Sequence, residues 1–360
     1  MFALLLTLRT VASACAKFFQ NQLWSIADRE EKGLINSETL FELWTIIPRS
    51  HEAPALVVRD KDTMQKANDN SVLSYVEAAK NSLESAEVFY GHGTDNALDE
   101  AVYLVFASLG LDYADPHAGQ RQLSAEERTF LDARLEQRIS RRIPVAYLVG
   151  EAWFAGRRFL ADARALVPRS PIAELLLEGE MPFLLEDPER ILDLCCGGGC
   201  IGITAALEYP KAQVDLADLS GEALALAQEN VDLHGVSDRV TLLQGDLFSL
   251  VRATYEIILC NPPYVAAEEM LDVPQEYRHE PEMGLVSNDE GLELPLRILR
   301  EAADHLKPQG VLILEVGFSH PQLSARLADV PLVWLEFAHG GEGVLAIVRE
   351  DLLTYREHFI

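Results

Sequence analysis

Asn261-Pro262-Pro263-Tyr264 follows the apolar run Tyr255–Cys260 and suits one kind of chemistry. An amide or aromatic amine nitrogen is a poor nucleophile because its lone pair is delocalised. A site that alkylates it must hold the N–H hydrogens in fixed acceptors, so that the lone pair faces an electrophile. The Asn261 side-chain carbonyl and the Pro262 backbone carbonyl can be those acceptors. Pro262 also has no N–H and a fixed φ, which stiffens the turn. Pro263 continues it, and the Tyr264 ring can pack on a planar substrate group. The gain is orientation and transition-state hydrogen bonding more than acid–base power. Asn-Pro is also a common turn after a strand, so the tetrad alone does not separate a site from a bend.

A second motif lies about sixty residues upstream. The apolar run Ile191-Leu192-Asp193-Leu194 passes through Cys195-Cys196 into Gly197-Gly198-Gly199, and an apolar helix pattern begins at Ile201. Glycine permits positive φ and lets a ligand approach the backbone. In many doubly wound sheets a nucleotide-like ligand sits at the carboxyl end of the first strand. Asp193, Cys196, Gly197 and Gly199 are therefore candidate cofactor residues. The spacing is not Gly-x-Gly-x-x-Gly, which disfavours a dinucleotide. A second strand ends at Asp218, 25 positions after Asp193, where a carboxylate can accept from ribose hydroxyls. A third ends in Gln244-Gly245-Asp246-Leu247, which puts Asp246 and Leu247 beside an adenine. Each acid alone reads as a helix cap; the ordered series reads as a site.

The series resembles the class I S-adenosylmethionine-dependent methyltransferases, and the tetrad is similar to that of their amino-methylating members. Closer still, the chain resembles the HemK group of protein-glutamine methyltransferases. Gly91–Asn96, Arg142–Leu148, Glu151–Phe154 and Val167–Leu175 look like the branch that modifies ribosomal protein three of the large subunit. The release-factor branch typically has Arg-Pro-Asp-Thr-Glu where this chain has Arg169-Ser170-Pro171-Ile172-Ala173-Glu174. The resemblance covers about residues 85–349. Cys196 and Gly198 depart from it, standing where Thr and Ser are usual. It implies S-adenosylmethionine as cofactor and a glutamine side-chain nitrogen as acceptor. Asn261, Pro262 and Tyr264 would be catalytic, and Arg169 would cover the cofactor or shape the substrate entrance. The rival readings are a release-factor glutamine methyltransferase, a nucleic-acid amine methyltransferase, and a non-catalytic adaptor that keeps the fold.

Composition narrows these. Acids outnumber bases 57 to 30, for a formal charge of −27. That balance argues against binding bare nucleic acid, whose phosphates need Lys and Arg, and suits a basic ribosomal protein as partner. Solubility alone would also account for it. The five cysteines are Cys15, Cys195, Cys196, Cys200 and Cys260. Their number and spacing do not form a secreted disulfide framework. Cys-Cys-x3-Cys across a strand-to-helix turn, with no His nearby, fits small buried side chains better than zinc. Met1–Ala16 is apolar with weak signal-like character, but no basic residue opens it and Thr7, Arg9 and Thr10 break it. No stretch reaches membrane-spanning length. A cytoplasmic location follows from the resemblance and the cysteines, and nothing specifies an oligomeric state.

The elements that must position these residues alternate. Strand candidates are Ile191–Cys196, Gln213–Asp218, Arg239–Leu243, Tyr255–Cys260, Val311–Val316, Leu332–Phe337 and Gly343–Val348. Helix candidates are Ile201–Glu208, Gly221–His234 and Gly291–His305, with a shorter one at Leu175–Glu186. This predicts an α/β fold: a doubly wound, mostly parallel seven-stranded sheet with an antiparallel last strand, behind a small helical domain. Residues 1–70 read as an extension and linker and 71–150 as a helical substrate-recognition domain. A linking hairpin would occupy 151–175 and the methyltransferase domain 176–360. Ser124-Ala125-Glu126-Glu127 is a capping-box start.

Overall fold

The computed structural model describes residues 70–360 apart from positions 180 and 339. The proposed N-terminal extension lies outside the described residues. The chain divides into two compact units between Val145 and Ala146.

The first unit is helical: α1 (Val72–Ser85), α2 (Ala97–Leu109) and α3 (Ala125–Arg141). Each start is capped by a side chain. Ser71 accepts from Ser74 N–H, Asn96 from Asp99 N–H, and Ser124 and Glu127 form the full capping box. Val76, Ala79, Leu83, Ala101, Leu104 and Leu131 are buried between the helices. The same core holds an ion pair. Arg138 Nε donates to Glu100 Oε1 at 2.7 Å, both side chains being almost fully buried. Arg138 Nη2 also donates to Phe89 O, and Glu100 Oε2 accepts from Thr94 Oγ1. Two long helices are thereby tied to the Gly91–Asn96 loop. His92 of that loop is buried rather than presented to solvent.

A short helix, α4 (Val145–Val149), spans the boundary. The second unit continues with the hairpin β1 (Glu151–Phe154) and β2 (Arg157–Leu160). Ala155 and Gly156, both at positive φ, form its two-residue turn. Helix α5 (Ile172–Glu178) follows. The apolar pattern predicts a helix to Glu186, but left-handed Gly179 ends it early.

Strands and helices then alternate: β3 (Arg190–Leu194), α6 (Cys200–Glu208), β4 (Gln213–Asp218), α7 (Gly221–His234), β5 (Val240–Gln244) and β6 (Tyr255–Cys260). A minor parallel pair, β7 (Val265–Ala266) and β8 (Val286–Ser287), brackets the segment after the tetrad. Next come α8 (Glu293–Ala302), β9 (Leu306–Glu315), α9 (His320–Arg326), β10 (Val333–Trp334), β11 (Val344–Val348) and α10 (Arg349–Thr354). The seven-stranded sheet runs β10-β11-β9-β6-β3-β4-β5. β3, β4, β5, β6 and β9 are parallel, and the last strand, β11, is antiparallel to β9. The predicted strand at Leu332–Phe337 pairs over only two residues, at the sheet edge.

The central strands read as continuous apolar runs because both faces are covered. Ile191, Val214, Ile257, Leu259 and Ile313 face one core, with α5, α6 and α7. Leu192, Leu194, Ile258, Leu312 and Leu314 face the other, with α8, α9 and α10. The chain enters at β3 and builds outward through β4 and β5. It returns on the other side of β3 as β6. The carboxyl ends of β3 and β6 therefore flank the point where strand order reverses, where ligands bind in open α/β sheets.

Candidate active site

The turn after β3 is built from left-handed backbone. Cys195, Gly197 and Gly199 all have positive φ. Cys196 N–H donates to Ala217 O, and Gly197 N–H donates to Asp218 Oδ2 at 2.8 Å. Gly199 caps α6, and Gly202 in its first turn donates to Asp193 Oδ2 at 2.7 Å. A Cβ at Gly202 would lie 2.8 Å from Asp193 Cβ, so glycine lets α6 lean on the end of β3. Asn230 of α7 holds the loop from behind. Its Nδ2 donates to Gly198 O, and its Oδ1 accepts from Leu160 N–H.

Asp193 is fully buried, and its Oδ1 has no hydrogen-bond partner. Burial pushes its carboxyl up to about 8, the Gly202 N–H opposing and Asp218 adding to the rise. Asp218 stands at the end of β4 and also accepts from Ser220 N–H at 2.8 Å. Burial raises its carboxyl too, against those backbone donors. Each Asp218 oxygen keeps acceptor capacity. A left-handed, side-chain-poor turn, a half-buried carboxylate at the neighbouring strand end and an unpartnered buried acid together suit a nucleoside with a charged tail. S-adenosylmethionine fits that donor and acceptor set. Asp246 is placed differently: it is exposed, one strand beyond Asp218, and accepts from Arg297 at 2.9 Å. Leu247, at positive φ, is buried beside it.

The tetrad leaves β6 next to this turn, since Cys260 is the register partner of Leu194. Burial raises the Cys260 thiol far above its ordinary range, and the neighbouring Cys195 thiol adds to the rise. Asn261 is half-buried and Pro262 buried. Tyr264 is fixed from three sides. Its hydroxyl donates to Glu315 Oε1 at 3.3 Å, and its carbonyl accepts from Ser319 Oγ at 2.8 Å. Its ring lies so close to Gly317 that a Cβ there would come within 2.7–2.8 Å of ring carbons and 2.9 Å of the hydroxyl.

Arg169 is committed to Glu280, which it reaches with both Nη atoms at 2.6 Å. Glu280, fully buried in its side chain, also accepts from Val167 N–H at 2.9 Å. Arg169 lies over the Tyr277 ring, 5.3 Å from its centroid. The pair clamps the segment before α5 to the segment after the tetrad. Ser170 adds a second tie, donating to Glu315 Oε2 at 2.6 Å. The structure thus gathers Asp193, Cys196, Gly197, Gly199 and Asp218 around one turn, with the tetrad beside them. Arg169 is connected through Glu280. Glu315, Glu280 and Asn230 were not among the candidates from sequence. Glu315 carries the signal that marked Asp218, an acid at the end of an apolar strand.

The methyltransferase small domain family matches residues 173–330. The ribosomal protein uL3 glutamine methyltransferase of Bordetella pertussis (strain Tohama I) is 48% identical over 282 residues. That match spans 77% of this chain and 94% of the relative. The protein of the same name from Xanthomonas campestris pv. campestris is 44% identical, over 79% of this chain and 94% of its own length. The chain belongs to the ribosomal protein uL3 glutamine methyltransferase family. Among solved structures, a methyltransferase from Pyrococcus furiosus is similar at 18% identity and TM-score 0.40, over 63% of this chain and 99% of that one. Family membership makes the chain a methyltransferase.

Proposed function

We propose that this chain transfers a methyl group from S-adenosylmethionine to the side-chain nitrogen of a glutamine in ribosomal protein uL3. The observation that carries the reading is the tetrad's position. It leaves β6 at the reversal of strand order, one register step from the glycine turn of β3, in a chain of the uL3-methylating family.

The sulfonium cofactor supplies an electrophilic methyl group. The chain's own residues supply place and orientation. Cys196, Gly197 and Gly199 offer backbone to the cofactor, Asp218 accepts from its ribose, and Asp193 supports the turn from beneath. Leu247 and Asp246, just after β5, would border the adenine. Asn261 Oδ1 and the Pro262 carbonyl accept the two amide N–H groups, so the nitrogen lone pair points at the donor. The Tyr264 ring packs on the amide plane, Pro263 holds the turn, and Arg169, through Glu280, keeps the entrance in shape. No strong base is needed before transfer, because alkylation makes the amide proton acidic.

The helical unit is the candidate for substrate recognition, and the reading carries a cytoplasmic site of action. No described helix is long and apolar enough to cross a membrane. The charge of −27 favours a basic protein over nucleic acid, so association should weaken as salt rises, exposed charges being screened beyond about 8 Å at physiological ionic strength. The test offers labelled cofactor and separate pools of ribosomal proteins, release factors, RNA and DNA. Label on uL3 supports the proposal. Label confined to a release factor moves the activity to the sister branch, and label on nucleic acid overturns the protein acceptor.

A further inference from the structure

Glu315 ends β9, the strand beside β6, and its neighbour Leu314 is the register partner of Cys260. Its side chain is therefore delivered alongside the tetrad. One carboxylate oxygen accepts from Tyr264 Oη at 3.3 Å and the other from Ser170 Oγ at 2.6 Å. Glu315 is buried, and the nearby Arg169 already makes both its short bonds to Glu280. Burying a carboxylate without a direct cationic partner is costly, and an apolar side chain of similar size would pack at less expense. Packing alone does not account for an acid here.

We propose that Glu315 is a positioning residue: by bridging the Ser170 and Tyr264 hydroxyls it sets the tilt of the Tyr264 ring against the acceptor amide. The remaining contacts of Tyr264 make this control tight. Gly317 leaves no slack behind the ring, and a Cβ at Gly291 would collide with the Tyr264 carbonyl. Backbone and ring face are thus held, and the hydroxyl end is steered by Glu315. The bridge also joins the acceptor tetrad to the Arg169–Ser170 segment. That segment descends from Ala165, whose Cβ would lie 3.7 Å from a Cβ built on Gly197 of the cofactor turn.

The bridge is strongest when the carboxylate is ionised and both oxygens only accept. The charged and titratable groups facing Glu315 are Arg169, Tyr264, Cys200 and Cys260. Burial lifts Glu315 to about 7, with Ser170, Tyr264 and Arg169 opposing. Below that pH one oxygen carries its own proton, the bridge loosens and turnover falls.

This inference rests on the reading that the tetrad holds a glutamine amide. The test measures kcat, KM for uL3 and Kd for S-adenosylmethionine from acid to alkaline pH. It compares the native chain with Glu315→Gln, Ser170→Ala, Tyr264→Phe and the double variant Tyr264→Phe/Glu315→Gln. Misplacing a reacting group by about 1 Å costs up to roughly a hundredfold in rate. Glu315→Gln should lose kcat on that scale, keep its cofactor Kd and lack the acidic limb near neutrality. The double variant should be no slower than the worse single variant, because both break one bridge. Ser170→Ala and Tyr264→Phe each remove one arm and should shift the same limb, which preserves the test if Glu315→Gln does not fold. Native turnover in Glu315→Gln, an unchanged acidic limb, or losses that multiply in the double variant would overturn the assignment while leaving the proposed function intact. Absence of uL3 methylation by the native chain would instead remove the function on which it rests.

Discussion

Asp193→Asn should make the cofactor-free chain more stable at neutral pH. Asp193 is fully buried, Gly202 N–H is the donor to one oxygen, and the other oxygen has no partner. Its carboxyl stands at about 8 in the fold against an ordinary 3.8. The folded chain therefore holds a proton on Asp193 that the unfolded chain releases above about pH 4. The sign follows: a carboxyl raised on folding favours the native state below its unfolded pKa, and that support drains away as pH rises toward 8. The slope is one proton, about 1.4 kcal/mol for each pH unit. Between pH 5 and 8 that comes to about 4 kcal/mol, an upper bound because water entering the loop would relieve it. Asparagine has the same shape, can accept from Gly202 N–H and does not titrate. Guanidinium unfolding followed by tryptophan fluorescence, at several pH values without cofactor, should show the variant gaining on the native chain as pH rises. His234 and His305, both lowered by burial, titrate equally in both chains and cancel. Parallel pH curves would refute the reasoning, as would a variant less stable at pH 8.

Three further outcomes are expected. Asn261→Ala should cut kcat by about 10²–10³ while calorimetry finds S-adenosylmethionine binding unchanged; near-native turnover would take the tetrad out of the mechanism. Asp218→Ala should weaken the cofactor at least tenfold, since each charge-assisted bond contributes about 1.5–3 kcal/mol; an unchanged Kd would reduce Asp218 to a cap for Ser220. Glu280→Ala strips Arg169 of its carboxylate and Val167 N–H of its acceptor. It should destabilise the second unit by about 3 kcal/mol, the low end of the range because Arg169 is partly exposed. Calorimetric melting should fall by roughly 10 °C, and a shift of a degree or less would contradict a structural clamp.

The parts of the site that were legible in the sequence are those made by neighbours along the chain. The Gly197–Gly199 turn, the acid at the end of β4 and the Asn261–Tyr264 tetrad each signal themselves within a few residues. Their order alone implies strands that place them together. The Ser124 capping box was legible for the same reason. Partnerships across long separations were not. Glu280 and Arg169 stand 111 positions apart, and Glu315 and Ser170 stand 145 apart. Nothing local marks one acid rather than another as the partner. Arg138 shows the same limit: helical periodicity assigns it no core role, yet its pair with Glu100 carries it inside. The apolar pattern of α5 runs past Gly179 toward Glu186, but Gly179 turns left-handed and ends the helix at Glu178. The strand pattern of Leu332–Phe337 pairs only at Val333 and Trp334, because an edge strand makes few pairs whatever its composition.

The most direct test of the central claim is tandem mass spectrometry of purified uL3 after incubation with the native chain and S-adenosylmethionine, with Asn261→Ala as control. The expected spectrum carries a single methyl group on the side-chain nitrogen of one glutamine, and that mark is absent from the control. An unmodified uL3, or a methyl group that survives in the Asn261→Ala reaction, would contradict it.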